Sequence, residues 1–383
     1  MKISLPDANG RFSAYTMTGT PVPQTRLPKN PARICYSATH VVADPFAARD
    51  PIGAASVDWA KTMEFRHHLH GLGLGIAEAM DTAQRGMGLD WPGALELIRR
   101  TRAELPDALV ANGCGTDHLD PGDATSLDDI KSAYMEQLSA IQRLDARVIL
   151  MASRALAKVA QTPGDYIRIY GEVLAECDHP VILHWLGDMF DPDLAGYWGG
   201  ETFEDCLETV VQIIEANVAK VDGIKISLLD KEKEVQLRRR LPAGVRMYTG
   251  DDFNYPELME GDAQGHSHAL LGIFDPIAPA AAHAVSVLGQ GDTAGFRATL
   301  DPTVPLARLI FRAPTQYYKT GVVFLAYLNG FQDHFIMLNG AQSARPLPYF
   351  TEIFRLADGC GLLRDPDLAV ARMTRMLAVY GVT

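Results

Sequence analysis

The sequence is short of several things, and each shortage excludes a class of protein. Five cysteines among 383 residues form no Cys-x-x-Cys pair and no even framework, so neither a disulfide scaffold nor a cysteine-based metal centre is expected. That usage suits a reducing cytoplasm. Positive charge is scarce: the net charge is −12, and Arg238-Arg239-Arg240 is the longest basic run. Nucleic acid and anionic membrane are therefore poor partners. No apolar stretch is long enough to span a bilayer, and Met1-Lys2-Ile3-Ser4-Leu5-Pro6-Asp7 lacks the apolar core of a signal peptide. No Gly-x-Gly-x-x-Gly follows the first apolar run, which argues against a dinucleotide-binding sheet.

What is present is alternation. Short apolar runs at Arg33–Val42, Gly73–Met80, Ala108–Cys114, Ala146–Ala152, Pro180–Leu186, Val221–Ser227, Gly244–Thr249 and Gly265–Ile273 read as strands. Amphipathic stretches between them carry helix start signals. Ser126 with Asp129 and Thr202 with Asp205 form capping-box patterns. Pro163 after Thr162 and Pro92 after Asp90 occupy first-turn positions, where a missing N–H costs nothing. Eight strand–helix units in series predict an α/β fold, a closed TIM (β/α)8 barrel over residues 31–300. Asn9-Gly10, with its tolerance of positive φ, predicts a hairpin in an N-terminal extension over 1–30 that ends in a proline-rich linker. Residues 301–383 predict a C-terminal helical extension, with helices over Pro305–Arg312, Lys319–Asn329, Pro348–Gly359 and Asp367–Tyr380.

Catalytic groups of such barrels stand at the C-terminal ends of the strands. On that rule the candidates are Glu78 and Asp81, Asn112, Thr116, Asp117 and His118, Ser153 and Arg154, His184 and Asp188, Lys225 and Ser227, Asp251 and Asp252, and His266 and His268. Lys225 is the most telling. In Val221-Asp222-Gly223-Ile224-Lys225-Ile226-Ser227 it faces away from two isoleucines. Burial penalises the charged amine, and a neutral lysine can attack a carbonyl to form a Schiff base. The alternative is a structural lysine paired with an aspartate. His184, after Val181-Ile182-Leu183, suits a general acid or base, or a structural histidine held by hydrogen bonds. Asp251, Asp252, His266, His268 and Glu78 together form a possible oxygen–nitrogen site for a divalent metal, although no His-Glu-x-x-His spacing is present. The His67-His68-x-His70 run reads as a solvated helix face, and Cys114 as a small barrel residue.

These motifs in this order resemble the dihydrodipicolinate synthase / N-acetylneuraminate lyase superfamily, of which the chain looks like a divergent branch. Gly223-Ile224-Lys225 resembles the family's Gly-x-Lys strand, and Tyr248-Thr249-Gly250-Asp251-Asp252 its Ser-Gly-Asp-Asp. Ala111 to Thr116 resembles its Ala-Gly-x-Gly turn, and Gly265 to Pro279 its glycine-rich eighth strand. Tyr318-Lys319 and Arg345-Pro346 resemble its late landmarks. The resemblance, from about Arg33 to Leu363, implies a class I aldolase or lyase with Lys225 as the Schiff-base residue, a small-molecule substrate and a homo-oligomer. Three places depart from the family pattern, one being Ser153-Arg154, which stands where the family has an aromatic pair after strand four. Ala77-Glu78-Ala79-Met80-Asp81-Thr82 replaces the hydroxyl-rich turn that holds a substrate carboxylate, and His184 stands where the family has a tyrosine. The expected electrophile is therefore a small polar, sugar-derived carbonyl compound, with Glu78, Asp81, Asn112, Asp188, Ser227, Asp251, Asp252, His266 and His268 binding it and with no required cofactor. The other readings are a metal-dependent sugar isomerase, epimerase or lyase on the same barrel, and a ligand sensor without catalysis.

Overall fold

A computed structural model describes residues 1–48, 50, 52–53 and 55–382. Among the described residues ten strands form two sheets. β1 (Lys2–Pro6) and β2 (Phe12–Thr16) make an antiparallel hairpin whose turn carries Gly10 at φ 74°. The other eight close into a parallel barrel in chain order: β3 (Cys35–Ala38), β4 (Gly75–Glu78), β5 (Val110–Cys114), β6 (Arg147–Leu150), β7 (Val181–Leu186), β8 (Val221–Ser227), β9 (Arg246–Thr249) and β10 (His268–Leu271), with β10 returning to β3. All eight expected strands are present. Several begin later than expected, and β10 begins three residues later.

The helices between them are α1 (Trp59–Gly71), α2 (Trp91–Glu104), α3 (Leu127–Gln142), α4 (Arg154–Val159), α5 (Pro163–Ala175), α6 (Phe203–Ala216), α7 (Lys231–Arg240), α8 (Tyr255–Glu260) and α9 (Ala278–Gly289). Their starts obey the local chemistry. Capping boxes at Ser126/Asp129, Thr162/Asp165 and Thr202/Asp205 satisfy the first free N–H groups of α3, α5 and α6. The Asp90 carboxylate accepts from Gly93 N at 2.9 Å to open α2.

After α9 the chain is helical: α10 (Thr293–Leu300), α11 (Val304–Ile310), α12 (Tyr318–Leu328), α13 (Leu347–Gly359) and α14 (Pro366–Val379). Every residue of α12 is buried, so it is the axis of the extension. One core runs through the extension, α9 and the outer faces of β3, β4 and β10, and it takes in Ile3 and Leu5 of the hairpin. A second fills the outer layer from β5 to β9. A third, inside the barrel, holds Tyr36, Ala38, Ala77, Met80, Ala111, Ile149, Met151, Ile182, Tyr248 and Leu270. Strand alternation makes these the inward positions, so Lys225, His184 and Ser227 share the inner face while Glu78 and Asn112 share the outer one. Among the described residues no helix is long and apolar enough to cross a membrane.

Candidate active site

Lys225 lies in the seven-residue strand β8, between Ile224 and Ile226, which pack outward against the helices. Its side chain enters the barrel and is only 7% exposed. Its stem has room because Gly250 follows β9 directly. A Cβ there would lie 2.8 Å from Lys225 Cε and 2.2 Å from Ser227 Oγ. No carboxylate lies within salt-bridge distance of the amine among the described residues. Burial holds its pKa below the ordinary lysine value, against the opposing pull of Asp81 and Asp252. Burial pushes the Asp252 carboxyl up to about 7, although the Ile273 amide donates to it at 2.8 Å and Lys225 favours its charge. Lys225 and Asp252 thus sense each other's charge without forming a salt bridge.

His184 is the cross-strand neighbour of Lys225 on β7. It is fully buried; its Nε2 lies 3.3 Å from Ser227 Oγ, and its Nδ1 has no partner among the described residues. Burial, with Lys225 adding to it, holds its pKa well below the usual value. The imidazole is therefore neutral and available as a base.

Two cavities meet here. One, of about 10 Å³, surrounds Lys225 and is walled by Asp81, Thr82, Ser227, Asp252, Phe311 and Tyr318. It holds about one water. The other, a cleft of about 170 Å³, is bordered by His184, Arg85, Thr116, Asp117, Arg154 and Asp191. Asp81 and Leu186 belong to both. In the cleft Arg85 forks onto Asp117 at 2.7 Å and Arg154 reaches Asp191 at 2.7 Å. The hydroxyls of Thr116 and Ser153 lie 2.6 Å apart.

Of the sequence candidates, the barrel gathers Lys225, His184, Ser227, Asp252 and Asp81 at one end. Thr116, Asp117 and Arg154 border the adjoining cleft, where Ser153 meets Thr116; the remaining candidates fall elsewhere. Glu78 points out of the barrel: Arg66 of α1 forks onto it at 2.8 and 3.0 Å, and Thr101 donates at 2.6 Å. Its charge is spent on joining α1 and α2 to β4, so it cannot bind substrate. Asn112, on the same outer face, donates to the Arg147 carbonyl at 2.9 Å. Asp251 accepts from the Phe253 and Asn254 amides and from the Asn254 side chain, tying the turn that starts α8. Asp188 is exposed in the loop after β7. His266 and His268 are at the wrong end. Because β10 starts at His268, both stand at the N-terminal mouth, where His268 Nδ1 accepts from the Ile34 amide. The set considered for a metal is thereby scattered, and among the described residues no group of three or more His, Cys, Asp or Glu side chains converges.

Four contributors escaped the sequence. Arg85 lies in the loop after β4, and Phe190 in the loop after β7. Phe311 and Tyr318 come from the extension. Tyr318 opens α12 and stacks on Phe311 with ring centres 4.4 Å apart. Gly272 makes room for both: a Cβ there would lie 2.9 Å from Phe311 and 3.2 Å from Tyr318. Lys319 beside it has its pKa lowered by burial to about 8. Tyr318-Lys319 is visible in the sequence, but its docking on the barrel is a tertiary event that leaves no local pattern.

Solved structures share this fold. A dihydrodipicolinate synthase from Thermotoga maritima matches with a TM-score of 0.65 and 15% identity, covering 86% of this chain and 99% of that one. A prophage protein of the dihydrodipicolinic acid synthase family from E. coli K12, solved in complex with pyruvate, matches with a TM-score of 0.66 and 13% identity, covering 86% and 99%. A dihydrodipicolinate synthase from Acinetobacter baumannii, also complexed with pyruvate, matches with a TM-score of 0.64 and 16% identity, again covering 86% and 99%. At such identities the likeness is one of fold. No curated protein matches the sequence. A family model, by contrast, takes in residues 3–382, and the chain belongs to that family, the one described as a protein of unknown function (DUF993).

Proposed function

We propose that the protein is a class I lyase or aldolase that acts on a small polar carbonyl compound through a Schiff base on Lys225. The observation that carries this reading is a buried amine on the inner face of β8, its pKa lowered, with no carboxylate in direct contact among the described residues and a neutral histidine on the adjacent strand. The Nζ lone pair attacks the carbonyl carbon, and His184 takes the proton that leaves Nζ. Loss of water gives the iminium, which draws electrons from the bond to be cleaved. Asp81 and Asp252 offset its positive charge. The substrate approaches through the larger cleft, past Asp81 and Leu186, and its hydroxyls meet Thr116, Ser153, Arg154 and Asp81.

Borohydride delivers hydride to the iminium carbon and fixes the adduct as a secondary amine. With pyruvate, hydroxyacetone and dihydroxyacetone as probes, trapping and peptide mass spectrometry are expected to place the added mass on Lys225. Turnover of any carbonyl substrate without a Lys225 adduct would defeat the mechanism.

A further inference from the structure

A Schiff base at Lys225 acidifies the hydrogen on the carbon next to the carbonyl, and that proton needs a carrier. His184 borders the adjoining cleft and not the lysine's own cavity. In that cavity the Tyr318 hydroxyl lies 2.8 Å from Thr82 Oγ1, with both residues at least 95% buried. Neither hydroxyl has another partner among the described residues. The ring is fixed by the Phe311 stack and by the edge of Phe190, with centres 6.2 Å apart. The two residues come from opposite parts of the molecule, Thr82 from the turn after β4 and Tyr318 from the first turn of α12.

We propose that Tyr318 and Thr82 form a hydroxyl relay that moves the substrate's α-proton, so that the C-terminal extension completes the active site. The proposal rests on the Schiff-base reading. In the forward step the α C–H pair becomes the C=C bond of an enamine, and the C=N π pair returns to nitrogen, which loses its charge. The proton passes to the Tyr318 oxygen as the Tyr318 hydrogen moves to Thr82 and the Thr82 hydrogen to a water that leads out past Asp81, which borders both cavities. No residue ends ionised, so the pair works although burial makes the phenol a weak acid.

The alternative is that this hydrogen bond only docks the extension on the barrel. Exchange in D2O separates the two. The same probes are incubated with the full-length protein, the loss of α-hydrogen signal is followed by proton NMR, and borohydride adducts are counted on Lys225. Wild type is expected to form the adduct and exchange. Tyr318→Phe is expected to keep the adduct yield within about twofold and to lose about 10²- to 10⁴-fold in exchange rate, the size of a general acid–base contribution. Thr82→Val is expected to slow exchange and Thr82→Ser to restore it, while a purely structural pair would leave the ratio of exchange to adduct unmoved. Tyr318→Phe exchanging at the wild-type rate overturns the relay, as does wild-type adduct without exchange. No adduct and no exchange from any probe overturns the Schiff-base reading, and the relay with it.

Discussion

The two mouths of the barrel are built from the same eight strands with the same inward alternation, yet they handle polar groups in opposite ways. At the N-terminal mouth several polar groups have direct partners. Tyr248 donates to Asp222 at 2.7 Å, Asp222 is paired with Arg246, and His268 accepts from the Ile34 amide. Large rings, Tyr36 against Tyr248 and Tyr248 against His268, fill the space between them. At the C-terminal mouth glycines replace rings on the strand ends, at Gly113, Gly250 and Gly272. Lys225, Asp81 and Asp252 stand there as charges that feel one another without direct contact. Buried charge left incompletely met lowers stability and is retained where chemistry uses it.

The largest test of that contrast removes one charge from each mouth. Lys225→Ala is expected to lower turnover by about 10³-fold or more, as loss of a nucleophile does, and to abolish borohydride labelling without loss of fold. Asp222→Asn is expected to leave turnover within a few-fold. Comparable losses in the two variants would erase the distinction between the mouths.

Inner and outer faces of one strand region give the next test. Glu78 and Asp81 are three residues apart, but the first is saturated by Arg66 and Thr101 outside the barrel. Glu78→Ala leaves Arg66 buried and uncompensated, which costs about 3–5 kcal/mol of stability by urea unfolding. Asp81→Asn is expected to spare stability and reduce turnover. The reverse pattern would return Glu78 to the site.

Acidity offers a finer probe. The lowered pKa of Lys225 means that the folded protein holds fewer protons than the unfolded chain as pH rises toward 10.5, the ordinary value. Adduct formation should therefore rise with pH to a plateau, with a midpoint below that value, and Lys225 adds stability in the same direction. Asp252 opposes the shift, so Asp252→Asn is expected to move the midpoint to still lower pH. A midpoint moving upward would mean that the two groups do not sense each other.

Much of this was legible in the sequence, and the failures have physical causes. Eight apolar runs between capping signals were enough for the barrel, and a lysine between two isoleucines was enough to place the Lys225 side chain inside the barrel. The same alternation, applied to Ile76-Ala77-Glu78, turns Glu78 outward once Ala77 is known to face in; that signal was present and unused. His266 and His268 were misplaced because the run from Gly265 includes a turn, with Asp262 bridged to Gly265, before the strand begins. At about 3.3 Å per residue a late start moves a side chain from one mouth to the other. Tyr318 and Phe311 could not be placed at all, since their position depends on how a helix more than 200 residues after β4 packs across the mouth.

The gentlest perturbation acts where no chemistry is expected. Tyr248→Phe removes the hydroxyl that Asp222 accepts and leaves the ring, its packing on Tyr36 and the Arg246 pairing in place. One neutral donor to a carboxylate that keeps its other partner contributes about 1 kcal/mol. Thermal or urea unfolding should register that loss, while adduct formation and its pH midpoint stay where they are in the wild type. A change in the midpoint would require charge at the N-terminal mouth to reach Lys225 through the packed interior of Ile149, Ile182 and Leu270. The two mouths would then be one electrostatic unit.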